Sequence, residues 1–162
     1  MMGKILRWIF SILALALVVQ FFRPARTNPP IDEAQTLQAQ SPVPPDVSAI
    51  ITRACYDCHS HQTKWPWYSN VQPVAWFLVD HVNEGRRHLN FSEWGTYSPK
   101  RRHHKLEEIS DEVQGGAMPL ESYLPLHAEA RLTPADIAAI AAWAAAERER
   151  LAATNNLAAE QR

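Results

Sequence analysis

The chain has 162 residues, enough for one domain with accessories. Its 16 Lys and Arg against 17 Asp and Glu leave a formal net charge of −1, so there is no positive field to draw nucleic acid. There are only two cysteines, Cys55 and Cys58, which excludes a conventional disulfide framework. The pair must bridge locally, bind a metal or hold a cofactor.

Residues 1–26 place Lys4 and Arg7 before an apolar run from Trp8 to Phe22, broken only by Ser11 and Gln20. At about 1.5 Å per residue the run spans ~23 Å, short for a bilayer core, although snorkelling of Arg7 and Arg23 lengthens it. A cleaved signal peptide is the alternative. The one Ala-x-Ala, Ala14-Leu15-Ala16, lies inside the apolar run, which favours an uncleaved transmembrane anchor. Residues 27–44 are polar and proline-rich without an apolar period, and predict a flexible tether.

The folded domain is expected over 45–151, as four helices with almost no strand pattern. The first opens at Pro44-Pro45-Asp46, and Val47, Ile50, Ile51 and Ala54 form its apolar stripe. The second follows Pro73, with Val74, Phe77, Leu78, His81 and Val82 on its inner face. The third begins at Ser98-Pro99, lines Leu106, Ile109 and Val113 on one side, and stops at Gly115-Gly116. The fourth begins with Thr133 as N-cap, Pro134 in the first turn and Asp136 near the helix N-terminus. Residues 152–162 are expected to fray. The fold class is all-α.

The first helix runs into Cys55-Tyr56-Asp57-Cys58-His59, a C-x-x-C-H sequence and the attachment signature of c-type haem. Two thiols one turn apart can add across the two vinyl groups of a haem, and the adjacent His59 then offers an imidazole nitrogen to the iron. A thioredoxin-like redox pair would want βαβ surroundings, which are absent. A zinc site could use Cys55, Cys58, His59 and His61, but it lacks a second knuckle. One covalent haem c is the favoured reading, and an exported chain meets the compartment in which that attachment occurs.

The block CYDCHSHQTKWPWYSNVQPVAWFLVDHVNEGRRHLNFSEW resembles the small haem-binding domain family of bacterial exported proteins. GGAMPLESYLPLHAEARLTPADIAAIAAWA is similar to that family's second half, and the family pattern would place Asn where His61 stands. The order of parts also resembles small cytochromes c: a helix, the motif, a ligand loop with Met and a closing helix. This resemblance implies a cytochrome-c-like domain whose first and last helices cross and pack.

Met118, in the GGAMP loop and the only Met outside the N-terminal segment, is the candidate distal iron ligand. His81 is the rival. Trp65, Trp67, Tyr68 and Trp76 are candidates for a pocket wall, and Arg86 and Arg87 for partners of the haem propionates. The basic run from Lys100 to Lys105 is a candidate surface for an acidic redox partner, or else a solvated face. The expected function is one-electron transfer with a redox partner protein, from a single-pass inner-membrane anchor with the haem domain in the periplasm or otherwise outside the cytoplasm. The alternative is a haem enzyme or sensor, for peroxide or a small gas, with a labile sixth ligand.

Overall fold

Prolines and capping residues set the helix starts, and the apolar stripes decide what each helix packs against. The computed structural model describes residues 2–160. Its helices are α1 (Met2–Val19), α2 (Leu37–Gln40), α3 (Pro45–Ala54), α4 (Tyr56–His59), α5 (Val74–His88), α6 (Pro99–Gln114) and α7 (Pro134–Glu160), with short 3-10 turns between them. No strand occurs among the described residues.

The stripe of α3 buries Val47, Ile50, Ile51 and Ala54, and α6 buries Leu106, Ile109 and Val113. These join Ile140, Trp143 and Ala144 of α7, and Phe91 and Trp94 of the turn at Phe91–Thr96, in one core. α7 packs along α6 and also against α3. Ser98 caps α6, its Oγ accepting from the Arg101 N–H at 3.3 Å. Gly115 and Gly116 end that helix, Gly116 at φ 71°, where a side chain would be strained.

The start of α7 is a reciprocal cap. The Asp136 N–H donates to Thr133 Oγ1 at 3.1 Å, and the Thr133 N–H donates to Asp136 Oδ2 at 2.8 Å. Arg53 of α3 reaches the same carboxylate at 2.7 Å. The Thr133 backbone donor, and then Arg53, hold the Asp136 carboxyl below its usual value. Thr133→Ala is expected to cost ~1 kcal/mol. Because the folded carboxyl is depressed, its contribution is present at neutral pH and is lost as pH falls through that lowered value. Denaturant midpoints of wild type and Asp136→Asn should therefore differ at neutral pH and converge in acid. Midpoints that stay equally far apart at every pH would contradict this linkage.

Residues 27–44 are not the flexible tether that their composition predicts. They form a strap bound to the domain. Asp32 and Thr36 cap successive short turns, and Leu37, the apolar residue at the start of α2, is fully buried. Full burial of one leucine is worth about 2 kcal/mol. The Trp94 indole N–H donates to Ser41 Oγ at 3.1 Å. Gln35 lies so close to Gly95 that a Cβ there would come within 2.9 Å of its Cα. One buried leucine and side chains that satisfy the strap's polar groups do the work that an apolar period would otherwise signal. The domain therefore begins before residue 45.

α5 is also turned relative to expectation. It buries Ala75, Val79 and Val82, while Val74 and Phe77 stay exposed. The two stripes share a helical period and differ by about one residue, or roughly 100°. α1 has no buried residue and is long and apolar enough to cross a membrane. At the other terminus, where 152–162 are expected to fray, the backbone is helical as far as Glu160, and residues 161 and 162 lie outside the described residues.

Candidate functional site: a cleft around the C-x-x-C-H turn

Cys55 closes α3 and opens α4. The N–H groups of Cys58 and His59 donate to the Cys55 carbonyl at 3.2 and 2.9 Å. This single turn places Cys55, Cys58 and His59 on the wall of one cleft of about 520 Å³, within the ~300–1,000 Å³ typical of cofactor sites. Ile51 and Ile140 line it from the α3 and α7 side, Ile109 and Val113 from α6, and Leu89 and Phe91 from the loop after α5. Met118 and Leu120 line it from the loop after α6, and His81 lines it from α5. The structure thus gathers Cys55, Cys58, His59, Met118 and the rival His81 around one space.

The tautomer of His59 follows from its contacts. Its Nδ1 lies 3.0 Å from the Gly85 carbonyl and 3.1 Å from the Leu89 carbonyl. Carbonyls only accept, so the proton is on Nδ1, and Nε2 keeps the lone pair that a metal would need. Burial pushes the pKa of His59 down, against the opposing pull of these two carbonyls, and so favours the neutral ring. Backbone carbonyls on the second nitrogen are the usual device for orienting a metal-ligating histidine. Gly85 brings α5 this close: a Cβ there would stand 2.7 Å from the Cys58 carbonyl oxygen and 3.2 Å from Cys58 Cβ.

The surroundings of the thiols are not those of a reactive redox pair. Burial, then the neighbouring Cys58, pushes Cys55 up to about 12. Burial, then Asp57, pushes Cys58 up to about 11. Reactive C-x-x-C thiols have lowered values, so the thioredoxin-like reading loses its chemistry as well as its topology. The zinc reading loses a donor. His61 turns away from the cleft: Asn90 Nδ2 donates to its Nε2 at 2.9 Å and Nδ1 faces the Pro30 carbonyl at 3.4 Å. His61 Nε2 also lies 3.6 Å from Glu93, but it is occupied as an acceptor. Asn90 Oδ1 accepts from the Ser92 N–H, which fixes the amide's orientation. Among the described residues no group of three or more His, Cys, Asp or Glu converges to hold a metal ion.

Two other expectations need correction. Trp65, Trp67, Tyr68 and Trp76 do not line the cleft; Phe91 and Tyr123 are its aromatic side chains. Arg86 is not free for propionates. Its Nε donates to the Ser60 carbonyl at 2.8 Å, Nη1 to the Thr27 carbonyl at 2.8 Å, and Nη2 to Asn28 Oδ1 and Thr63 Oγ1, both at 2.9 Å. It clamps the strap to the loop after the motif, and the basic groups that line the cleft are Lys105, His81 and His88. The basic run is largely engaged locally. Arg101 lies over the Tyr97 ring, Arg102 donates to the Tyr97 and Gly95 carbonyls, and His104 and Lys105 pair with Glu108.

Gly85 and Phe91 line the cleft and are positions that motif reading missed. A glycine in the middle of an otherwise helical pattern was the available signal for the first.

The donor set fits a haem: two cysteines one turn apart, a neutral oriented imidazole, a thioether and apolar walls surround one cleft. A model of the haem-binding domain family matches residues 14–146. The chain belongs to the haem-binding domain family. The match begins inside α1 and takes in the whole strap, in agreement with the packing of residues 27–44 onto the domain. No curated protein and no solved structure matches the chain.

Proposed function

We propose that this haem-binding protein is a membrane-anchored, cytochrome-c-like electron carrier with one covalent haem c. The observation behind this reading is the convergence of Cys55, Cys58, His59 and Met118 on one apolar cleft, with His59 Nδ1 already committed to two carbonyls. Cys55 and Cys58 would hold the haem through thioethers. His59 would bind the iron through Nε2, and Met118 would supply a second protein ligand. The haem supplies a one-electron couple. The protein supplies an oriented ligand, walls that exclude water, and enclosure that limits reorganisation. α1 would anchor the domain in the inner membrane with the cleft on the periplasmic side, facing a redox partner protein.

The attachment is tested on holoprotein from a host that matures c-type cytochromes. The haem is expected to stay with the polypeptide through denaturation and acid–organic extraction. Cys55→Ser or Cys58→Ser should leave a single thioether or none and lower the yield of holoprotein. Complete extraction of haem from wild type would reject covalent attachment. A wild-type spectrum that is high-spin, together with rapid peroxide turnover, would replace the carrier reading with the enzyme or sensor reading.

A further inference from the structure

Two features have no role in the haem cleft. The chain from Trp65 to Val79 contains no charged residue across 15 positions and holds three of the six tryptophans. Much of it is exposed: Trp67 is 76% and Phe77 55% exposed, and Val71, Val74 and Trp76 are exposed beside them. Large apolar side chains exposed together in one uncharged segment mark a contact site.

The second feature is where α1 ends. Gln20 and Gln72 exchange hydrogen bonds: the Gln72 N–H donates to Gln20 Oε1 at 2.9 Å, and Gln20 Nε2 donates to the Gln72 carbonyl at 3.2 Å. The Phe22 carbonyl accepts from Gln72 Nε2 at 3.0 Å and from the Trp76 indole N–H at 2.7 Å. Arg26 Nη1 donates to Ser69 Oγ at 2.9 Å. The first residues beyond the apolar helix are therefore bonded to the same segment that displays the apolar patch.

We propose that Trp67, Val71, Val74, Trp76 and Phe77 form a seat by which the domain rests in the interfacial layer of the bilayer that α1 crosses. This rests on the reading of α1 as a membrane anchor. At 18 residues, α1 spans ~27 Å, close to the ~30 Å hydrocarbon core, so its end lies at the level of the headgroups. Tryptophans concentrate at that level because the ring is apolar and its N–H is polar. Arg23 and Arg26 follow the apolar helix in the sequence, and Lys64 precedes the uncharged stretch, which Asp80 ends; the three cations suit phosphate-bearing headgroups. A soluble protein partner would have to reach this patch through the headgroup layer, so lipid is the occupant. α5 carries both the seat, at Val74 and Phe77, and the cleft-lining His81. Seven residues separate Val74 from His81, or about 10 Å along the helix, so seating holds the haem cleft at a short fixed height above the lipid.

The test uses the full-chain holoprotein in nanodiscs of phosphatidylcholine. A photoactivated benzophenone amino acid is placed singly at Leu15, Trp67, Val71 and Arg87, and the adducts are read by mass spectrometry. Lipid adducts are expected at positions 15, 67 and 71 and are expected to be lost at 87, about 20 Å along α5 from Val74. Adducts at 15 but none at 67 or 71 would overturn the seat and leave the anchor intact. No lipid adduct at 15 would reject the anchor, and the seat with it. Adducts at 67 and 71 to another protein chain would assign the patch to a protein interface and overturn the proposal. Hydroxyl-radical footprinting of the unsubstituted protein removes dependence on the variants' folding. Trp67 should be protected in nanodiscs, and oxidation at the rate of a freely exposed tryptophan would overturn the seat.

Discussion

Gly85→Ala is expected to cost the protein most of its attached haem. The new methyl would lie 2.7 Å from the Cys58 carbonyl oxygen and 3.2 Å from Cys58 Cβ. The nearest of these atoms is backbone, so no flexible side chain can swing away. Either α5 withdraws or the C-x-x-C-H turn shifts. Both movements disturb the Gly85 carbonyl, which accepts from His59 Nδ1 at 3.0 Å. Overpacking of this kind costs about 1–3 kcal/mol in stability. Partners that orient a metal ligand are worth roughly 10–100-fold in metal affinity. Because the proposed haem link is covalent, the loss arises at maturation: the haem-to-protein ratio should fall, and the surviving holoprotein should show an altered ligand-field spectrum. Gly3→Ala, with nothing within 4 Å of its added Cβ, is the control and should mature normally. A Gly85→Ala protein with full haem content and an unchanged spectrum would show that the close approach does not orient the proximal ligand.

The helices that punctuation marks were readable from the chain. Pro45, Pro73, Pro99 and Pro134 each lie at a helix start, and Gly115 stands where α6 ends. The attachment turn was readable because its spacing is the chemistry itself. What could not be read depends on tertiary contact. The strap from 27 to 44 lacks an apolar period because its hold is one buried leucine and the Arg86 clamp, and nothing local announces either. The inner face of α5 was misjudged because two stripes of equal period compete. The one that wins is set by how Gly85 meets Cys58, a contact across 27 residues of sequence. The tryptophans after the motif suited a pocket wall by proximity in sequence, yet the cleft takes its aromatic lining from Phe91 and Tyr123.

Met118→Ala is expected to open the sixth coordination position, bring in high-spin character and speed carbon monoxide binding to the ferrous protein. Met118 and His81 reach the cleft from different elements. His59 is held by Gly85 and Leu89, so α5 and its C-terminal loop lie on the His59 side of the cleft. His81 is one helical turn from Gly85 on that same helix, and its Nδ1 lies 2.9 Å from the Phe77 carbonyl. His81 therefore shares the helix that holds His59, which makes it the poorer candidate for a second ligand from across the cleft. Met118 comes from the loop between α6 and α7, whose backbone is tied down where the Ala117 and Met118 N–H groups donate to the Glu112 carbonyl at 3.0 and 3.2 Å. A thioether favours ferrous over ferric iron, so Met118→His should keep six-coordination and lower the reduction potential. His81→Ala should leave the low-spin spectrum in place. If His81→Ala opens the site while Met118→Ala does not, the distal ligand belongs to α5, and the loop after α6 is only a lid of apolar side chains. A ligand held on a tied loop passes electrons with little rearrangement and yields slowly to added ligands. Rapid carbon monoxide binding to the wild-type protein would therefore argue against the carrier as strongly as it would against Met118.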